Sequence, residues 1–288
     1  MKQTVVFLTA VLISIICIIP PAQAERIGID AGIEYRSEYF WRGFSFYGGD
    51  TNNPRGVYFP WIGFGFSDFY FSVSGEVASA RVADNQPNNV ERGWYGIDYI
   101  LDFNKKLFSE SITLGIRAAY FMYPNSPDIN EEVNGEGKDW RNDFAEAAAS
   151  ITVNALPLNP KILVSYYYRI DDRDGTQENA EDVYAQFSLS HTFGLAQNAS
   201  LKLHASIAYF NYASSEQWNS PEVGGYGDDY RGISDITIGM KLSVSADSGV
   251  TVFGSWNYAY VPDEDFYMAN WYKEKHHYWT TFGVTYSI

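Results

Sequence analysis

The stretch IGIDAGIEYRSEYFWRG occupies Ile27 to Gly43. Its odd positions are Ile27, Ile29, Ala31, Ile33, Tyr35, Ser37, Tyr39 and Trp41. Its even positions carry Asp30, Glu34, Arg36, Glu38 and Arg42. One face is apolar and ends in aromatics, and the other is charged. Side chains alternate faces only in an extended strand. A helix would spread these charges around its circumference. Charges on an inner face need water or partners. A strand with lipid on one side and a polar lumen on the other meets both demands.

The first 24 residues resemble an export signal rather than part of a fold. Lys2 gives a positive start, Val5 to Ile19 is an uncharged apolar run, and Pro20-Pro21-Ala22-Gln23-Ala24 ends in an A-x-A cleavage pattern. The run is too short for a membrane-spanning helix, and the two prolines close it. Cys17, the one cysteine, lies inside this segment. The mature chain expected from Glu25 to Ile288 therefore has neither disulfides nor thiol chemistry. Lys2 is the only charged residue removed, which leaves 19 basic against 35 acidic side chains, a net charge of −16. So acidic a chain is poorly suited to nucleic acid, whose phosphates require Lys and Arg. Aromatics make up 17% of the sequence, more than a typical soluble domain carries. Composition does not change along the mature chain, so one domain is expected over 25–288.

Eleven further segments carry period-two patterns. Val57 to Phe66 is apolar on both faces and contains Pro60, which argues against a central strand. Phe69 to Val77, Tyr95 to Phe103, Ile112 to Met122 and Phe144 to Ala155 follow. The last of these is rich in alanine, but its β-branched residues favour strand over helix. Ile162 to Arg169, Val183 to Phe193, Leu201 to Tyr209, Ile236 to Val244, Val250 to Tyr260 and Tyr278 to Ile288 complete twelve. The connections alternate long and short throughout. The long ones are Phe46–Arg55, Arg81–Arg92, Pro124–Asn142, Asp171–Asp182, Ala213–Tyr230 and Pro262–His276, and they hold most of the acids. This asymmetry belongs to outer-membrane barrels, with short periplasmic turns and longer outer loops. A β-sandwich has no reason to keep it. The predicted fold is an all-β, twelve-stranded antiparallel transmembrane barrel. Its final strand closes on the first, which removes both edges.

Ser37-Glu38-Tyr39-Phe40-Trp41-Arg42-Gly43-Phe44-Ser45 resembles the S-[DE]-Y-x-x-R-G-x-S signature near the start of the TorF-like outer-membrane porins. The matching positions are Ser37, Tyr39, Arg42, Gly43 and Ser45. Phe46-Tyr47 replaces the polar pair that the family shows next. The resemblance implies an exported porin. Read physically, Arg42 and Gly43 lie near the outer rim of the first strand, where Arg42 meets a lumenal or loop acid, or contacts solute, and Gly43 allows a bend.

The inner faces are expected to hold the acids Asp30, Glu34, Glu76, Asp98, Glu146 and Asp235 and the bases Arg36, Arg117, Arg169, Lys202 and Lys241. These form either a charged channel lining that filters small solutes or a set of ion pairs that fills a closed barrel. Eight strands leave room only for side chains and sixteen leave a wide channel, so twelve permits a narrow pore. Tyr35, Tyr39, Trp41, Tyr120, Tyr166, Tyr168, Tyr209, Trp256, Tyr258, Tyr260 and Tyr278 read as an interfacial girdle.

Three chemical patterns compete with this reading. His204-Ala205-Ser206 resembles the H-x-S pair of outer-membrane phospholipase A, but its parity puts His204 and Ser206 inside rather than towards lipid. Asp172-x-Asp174-Gly175 with Glu181 fits part of a calcium loop, yet the first position is Ile170 and no flanking helices exist. His276-His277 reads as a solvated pair at a strand end. No catalytic site, metal or cofactor is therefore expected. The expected partners are outer-membrane lipid and small polar solutes or ions, with a mild preference for cations drawn to the acidic loops. A closed barrel whose loops serve adhesion or binding is the alternative.

Overall fold

The computed structural model describes residues 27–42, 44–47, 56–78, 93–122, 143–169, 182–212, 230–263 and 274–288. For residues 44–47, 78, 93–95, 169, 212 and 230 the description is confined to the backbone. The acidic stretch 171–181, with its calcium-like spacing, lies outside these ranges, as do the first 26 residues. Among the described residues there is no helix.

The strands are β1 (Gly28–Arg36), β2 (Tyr39–Trp41), β3 (Phe44–Tyr47), β4 (Val57–Phe66), β5 (Phe69–Ala78), β6 (Gly93–Leu107) and β7 (Ile112–Met122). They continue with β8 (Phe144–Val153), β9 (Lys161–Arg169), β10 (Asp182–Ala196), β11 (Ala199–Tyr212), β12 (Tyr230–Ser245), β13 (Val250–Tyr260) and β14 (His276–Ser287). Twelve of them close into an antiparallel barrel in the order β1-β14-β13-β12-β11-β10-β9-β8-β7-β6-β5-β4. β2 and β3 stand apart as a two-stranded hairpin.

Closure is a full ladder. β1 pairs with β14 from Asp30↔Ser287 to Arg36↔Thr281 and with β4 from Gly28↔Gly65 to Arg36↔Val57. The outward parity is the apolar one. Ile33, Ile116, Ile151, Ile162, Phe187, Ile238, Leu242, Val252 and Phe282 all have exposed side chains. In water such a continuous belt would be a strong aggregation surface, whereas lipid removes the penalty. The alanine-rich tract is strand β8, paired residue for residue with β7 and β9. Pro60 is also accommodated. It sits opposite Ile33, and the β4–β5 ladder skips Phe59 and Pro60, where proline has no N–H to give. Tight turns at one end use left-handed residues, among them Ser67 (φ 52°), Glu110 (φ 68°) and Gly249 (φ 84°). The short connections are 67–68, 108–111, 154–160, 197–198 and 246–249. β6 and β10 run past the boundaries expected from sequence, through Asn104–Leu107 and Gly194–Ala196.

The first strand departs from expectation. It does not continue to Gly43 but ends at Arg36. The Ser37 N–H donates to the Thr280 carbonyl at 2.9 Å, and Ser37 Oγ accepts from the Thr280 N–H at 2.9 Å. A side chain thus completes the last rung of the ladder, and from Glu38 the backbone is free to leave the wall.

Candidate functional site

The leaving segment turns into the barrel. β2 and β3 pair through Tyr39↔Tyr47, Phe40↔Ser45 and Trp41↔Phe44. Arg42, in the connection, takes the left-handed φ of 53°. Two-residue hairpin loops favour such residues.

The side chains of β2 reach across the inside and touch most of the wall. Tyr39 packs edge-on against Phe59 of β4, with ring centroids 5.0 Å apart. Phe40 stacks on Trp279 at 5.3 Å and lies 4.7 Å from the His277 ring, both on β14. Trp41 sits among Phe121, Phe144 and Tyr167 at 6.3, 5.9 and 5.7 Å, which are side chains of β7, β8 and β9. Each such aromatic pair is worth about 0.5–1.5 kcal/mol beyond its buried area. Tyr39 and Trp41 therefore belong to the interior and not to the lipid-facing girdle. Of the expected girdle, the rings of Tyr166, Tyr209, Trp256 and Tyr278 are exposed on the outer face.

Two polar contacts fix the hairpin. Arg42 Nη2 donates to Glu146 Oε1 at 2.8 Å, and the guanidinium lies 4.4–4.7 Å from the ring centroids of Trp41, Tyr167 and Tyr184. Ser165 Oγ donates to the same Glu146 oxygen at 2.7 Å. The Arg42 and Glu146 side chains are 9% and 1% exposed, so this is an ion pair sealed from water. Arg42 is thus folded into the barrel near its long-loop end. Gly43 lies outside the described residues. On the opposite wall, Glu38 Oε1 is 2.6 Å from His277 Nδ1, and His277 Nε2 is 3.0 Å from the Glu274 carbonyl. Both ring nitrogens face acceptors. His277 is buried, contrary to the expected solvated pair. His276 is exposed and lies 2.8 Å from the Tyr258 hydroxyl.

The other sequence-predicted residues fall at different depths. Glu76, Asp98, Glu146 and Asp235 are buried towards the long-loop end. Asp98 accepts from Ser74 Oγ at 3.2 Å, and Asp235 accepts from Thr237 and Ser234 at 3.0 and 3.1 Å. Glu34 and Arg36 pair along β1, and the Arg36 guanidinium lies 4.2 Å from the Phe59 ring. Arg117 holds Asp102 with two bonds, at 2.8 and 3.1 Å. Asp30 lies beside Tyr70 near the short-turn end. Lys202 and Lys241 are direct cross-strand partners on the inner face. Arg169 is placed by backbone only, opposite Phe144. His204 and Ser206 share the inward parity of Lys202, as their spacing implies. Sequence reasoning missed Glu38, His277 and Lys161. The only available signal for the first two was the inward parity of Glu38 and a histidine at the start of the last strand.

The fold and its interior define a membrane-spanning barrel with a polar lumen, narrowed by its own hairpin. No family model matches the chain, and no curated protein matches its sequence. Solved structures do. An outer membrane channel from Pseudomonas putida F1 superposes with a TM-score of 0.54 at 8% identity, covering 94% of this chain and 100% of that one. The NanC porin superposes with a TM-score of 0.51 at 10% identity, covering 90% of this chain and 98% of that one. At such identities the likeness is one of fold.

Proposed function

We propose that the protein is an outer-membrane, porin-like channel through which small polar solutes diffuse passively. It would be exported by its first 24 residues and held by lipid around its apolar belt. The observation that carries the reading is the docked hairpin. The β2–β3 hairpin narrows the lumen and so sets the size of what passes, while the inner charges act on what enters. Acids at the outer end raise the cation concentration there, and a separate basic zone lies beneath them. The pore-lining residues of this reading are Asp30, Glu34, Arg36, Arg117, Lys202 and Lys241. Glu76, Asp98, Glu146 and Asp235 support the constriction. No covalent step is involved.

Swelling of liposomes in sugars and amino acids of graded size tests the reading. The intact barrel is expected to admit only the smallest, and Arg42→Ala is expected to raise the cutoff. A variant that leaves the cutoff unchanged removes the hairpin from the permeation path. The same hairpin also favours a second reading, a closed barrel whose loops bind a partner. A purified barrel that gives neither swelling nor current steps, with or without the Arg42→Ala change, decides for it.

A further inference from the structure

The inner wall of the lower half, nearer the short turns, carries a charge imbalance that the hairpin does not use. Five basic and three acidic groups of the inner wall neutralise one another only in part. Arg117 is taken by Asp102 through two hydrogen bonds. Arg36 is taken by Glu34. Asp30, on β1, stands beside Tyr70. Lys161, Lys202 and Lys241 remain, and among the described residues none of the three has a carboxylate within ion-pairing distance.

Their positions are related by register. Lys202 on β11 is the direct partner of Lys241 on β12, with both side chains on the inner face. Like charges placed directly opposite each other weaken a sheet. Natural walls avoid such a pair or set a carboxylate beside it, and here the neighbours are neutral. Lys241 faces Ser255 on β13. Lys202 faces Thr192 on β10. The Lys241 ammonium lies 3.5 Å from the centroid of the Phe253 ring, which orients it without neutralising it. Lys161 on β9 lies opposite Ser188, and Ser188 lies opposite Ser206. Lys202 and Arg117 are both within Coulombic range of Lys161, and Asp102 is the acid in that range. For Lys241 the groups in range are Glu34, Lys202 and Arg36. The two acids in these sets are the ones already held by arginines.

We infer that Lys161, Lys202 and Lys241 form a binding site in the lumen for a small oxoanion bearing two or more negative charges. The inference rests on the barrel having a water-accessible lumen, as the channel reading requires. Three ammonium groups spread over β9, β11 and β12 suit a ligand with separated carboxylate or phosphate groups better than they suit chloride. Serine and threonine hydroxyls on the same wall supply further donors. Lipid headgroups are not candidates for this site, because the lysines face away from the lipid side of the wall.

Citrate is the probe, titrated calorimetrically into the refolded full chain in a non-ionic detergent at low salt. The barrel is expected to bind citrate, and Lys202→Gln with Lys241→Gln is expected to weaken it at least tenfold. Lys202→Arg with Lys241→Arg keeps both charges and is expected to preserve it. Absence of citrate binding to the intact barrel overturns the inference, as does equal affinity in the glutamine variant. Planar-bilayer recordings separate the two proposals. Citrate binding by a barrel that passes no current supports the site and removes the channel. Current through a barrel that binds no citrate keeps the channel and removes the site.

Discussion

Arg42 reaches Glu146 across the inside of the barrel, and this single contact tests how the hairpin is held. Breaking a buried pair by removing one partner leaves an uncompensated charge, which costs about 3–5 kcal/mol. Glu146→Ala is therefore expected to lower the urea midpoint for release of the hairpin. Arg42→Ala in the same chain should restore much of the loss, because it removes the stranded cation. Additive effects of the two changes would show that the ion pair contributes nothing. On the opposite wall, His277→Phe keeps a ring against Phe40 and Trp279 but removes both polar contacts. Glu38 is then buried without a donor, an expected cost of about 1–3 kcal/mol by chemical denaturation. The sequence names neither partner, although it leads one to expect a lumenal or loop acid beside Arg42. Glu38 and Arg42 are seen there only as charges of inward parity, and their partners lie more than a hundred residues away.

For the elements, the twelve wall strands were legible because a period of two is a local property. The alternation of long and short connections needed only counting. The β2–β3 hairpin was not. Tyr39 and Trp41 keep the parity of Tyr35, and an extended segment reads the same whether it continues the wall or bends off it. What redirects it is Ser37, whose hydroxyl completes the ladder with Thr280. The hairpin's own fit then depends on Trp41. Trp41→Ala empties the space between Phe121, Phe144 and Tyr167, and large-to-small changes of this kind cost about 3–5 kcal/mol. The expected outcome is a higher single-channel conductance in planar bilayers as the hairpin loosens, with no loss of barrel assembly. Unchanged conductance would mean that Trp41 only fills space. Ser37 marks the exit from the wall, Tyr39 packs on it, and Arg42 anchors the turn.

At the scale of the whole molecule, the barrel is a cylinder with lipid as its outer solvent. Ile238 lies midway along β12 with its side chain exposed on the apolar belt. Ile238→Arg is expected to cost about 2–4 kcal/mol in equilibrium unfolding from bilayers. A negligible cost would place that face in water and undo the membrane reading. The inner wall is unequal along its length. The long connections at one end hold most of the acids of the sequence, and the unneutralised lysines lie nearer the short turns. A tube whose two ends carry opposite fixed charge behaves electrically as a diode. Mobile ions of both signs accumulate inside it under one polarity and are swept out under the other, so current at equal and opposite voltages should differ. Exchanging Lys202 and Lys241 for glutamate removes the polarity of the tube and should straighten its current–voltage curve.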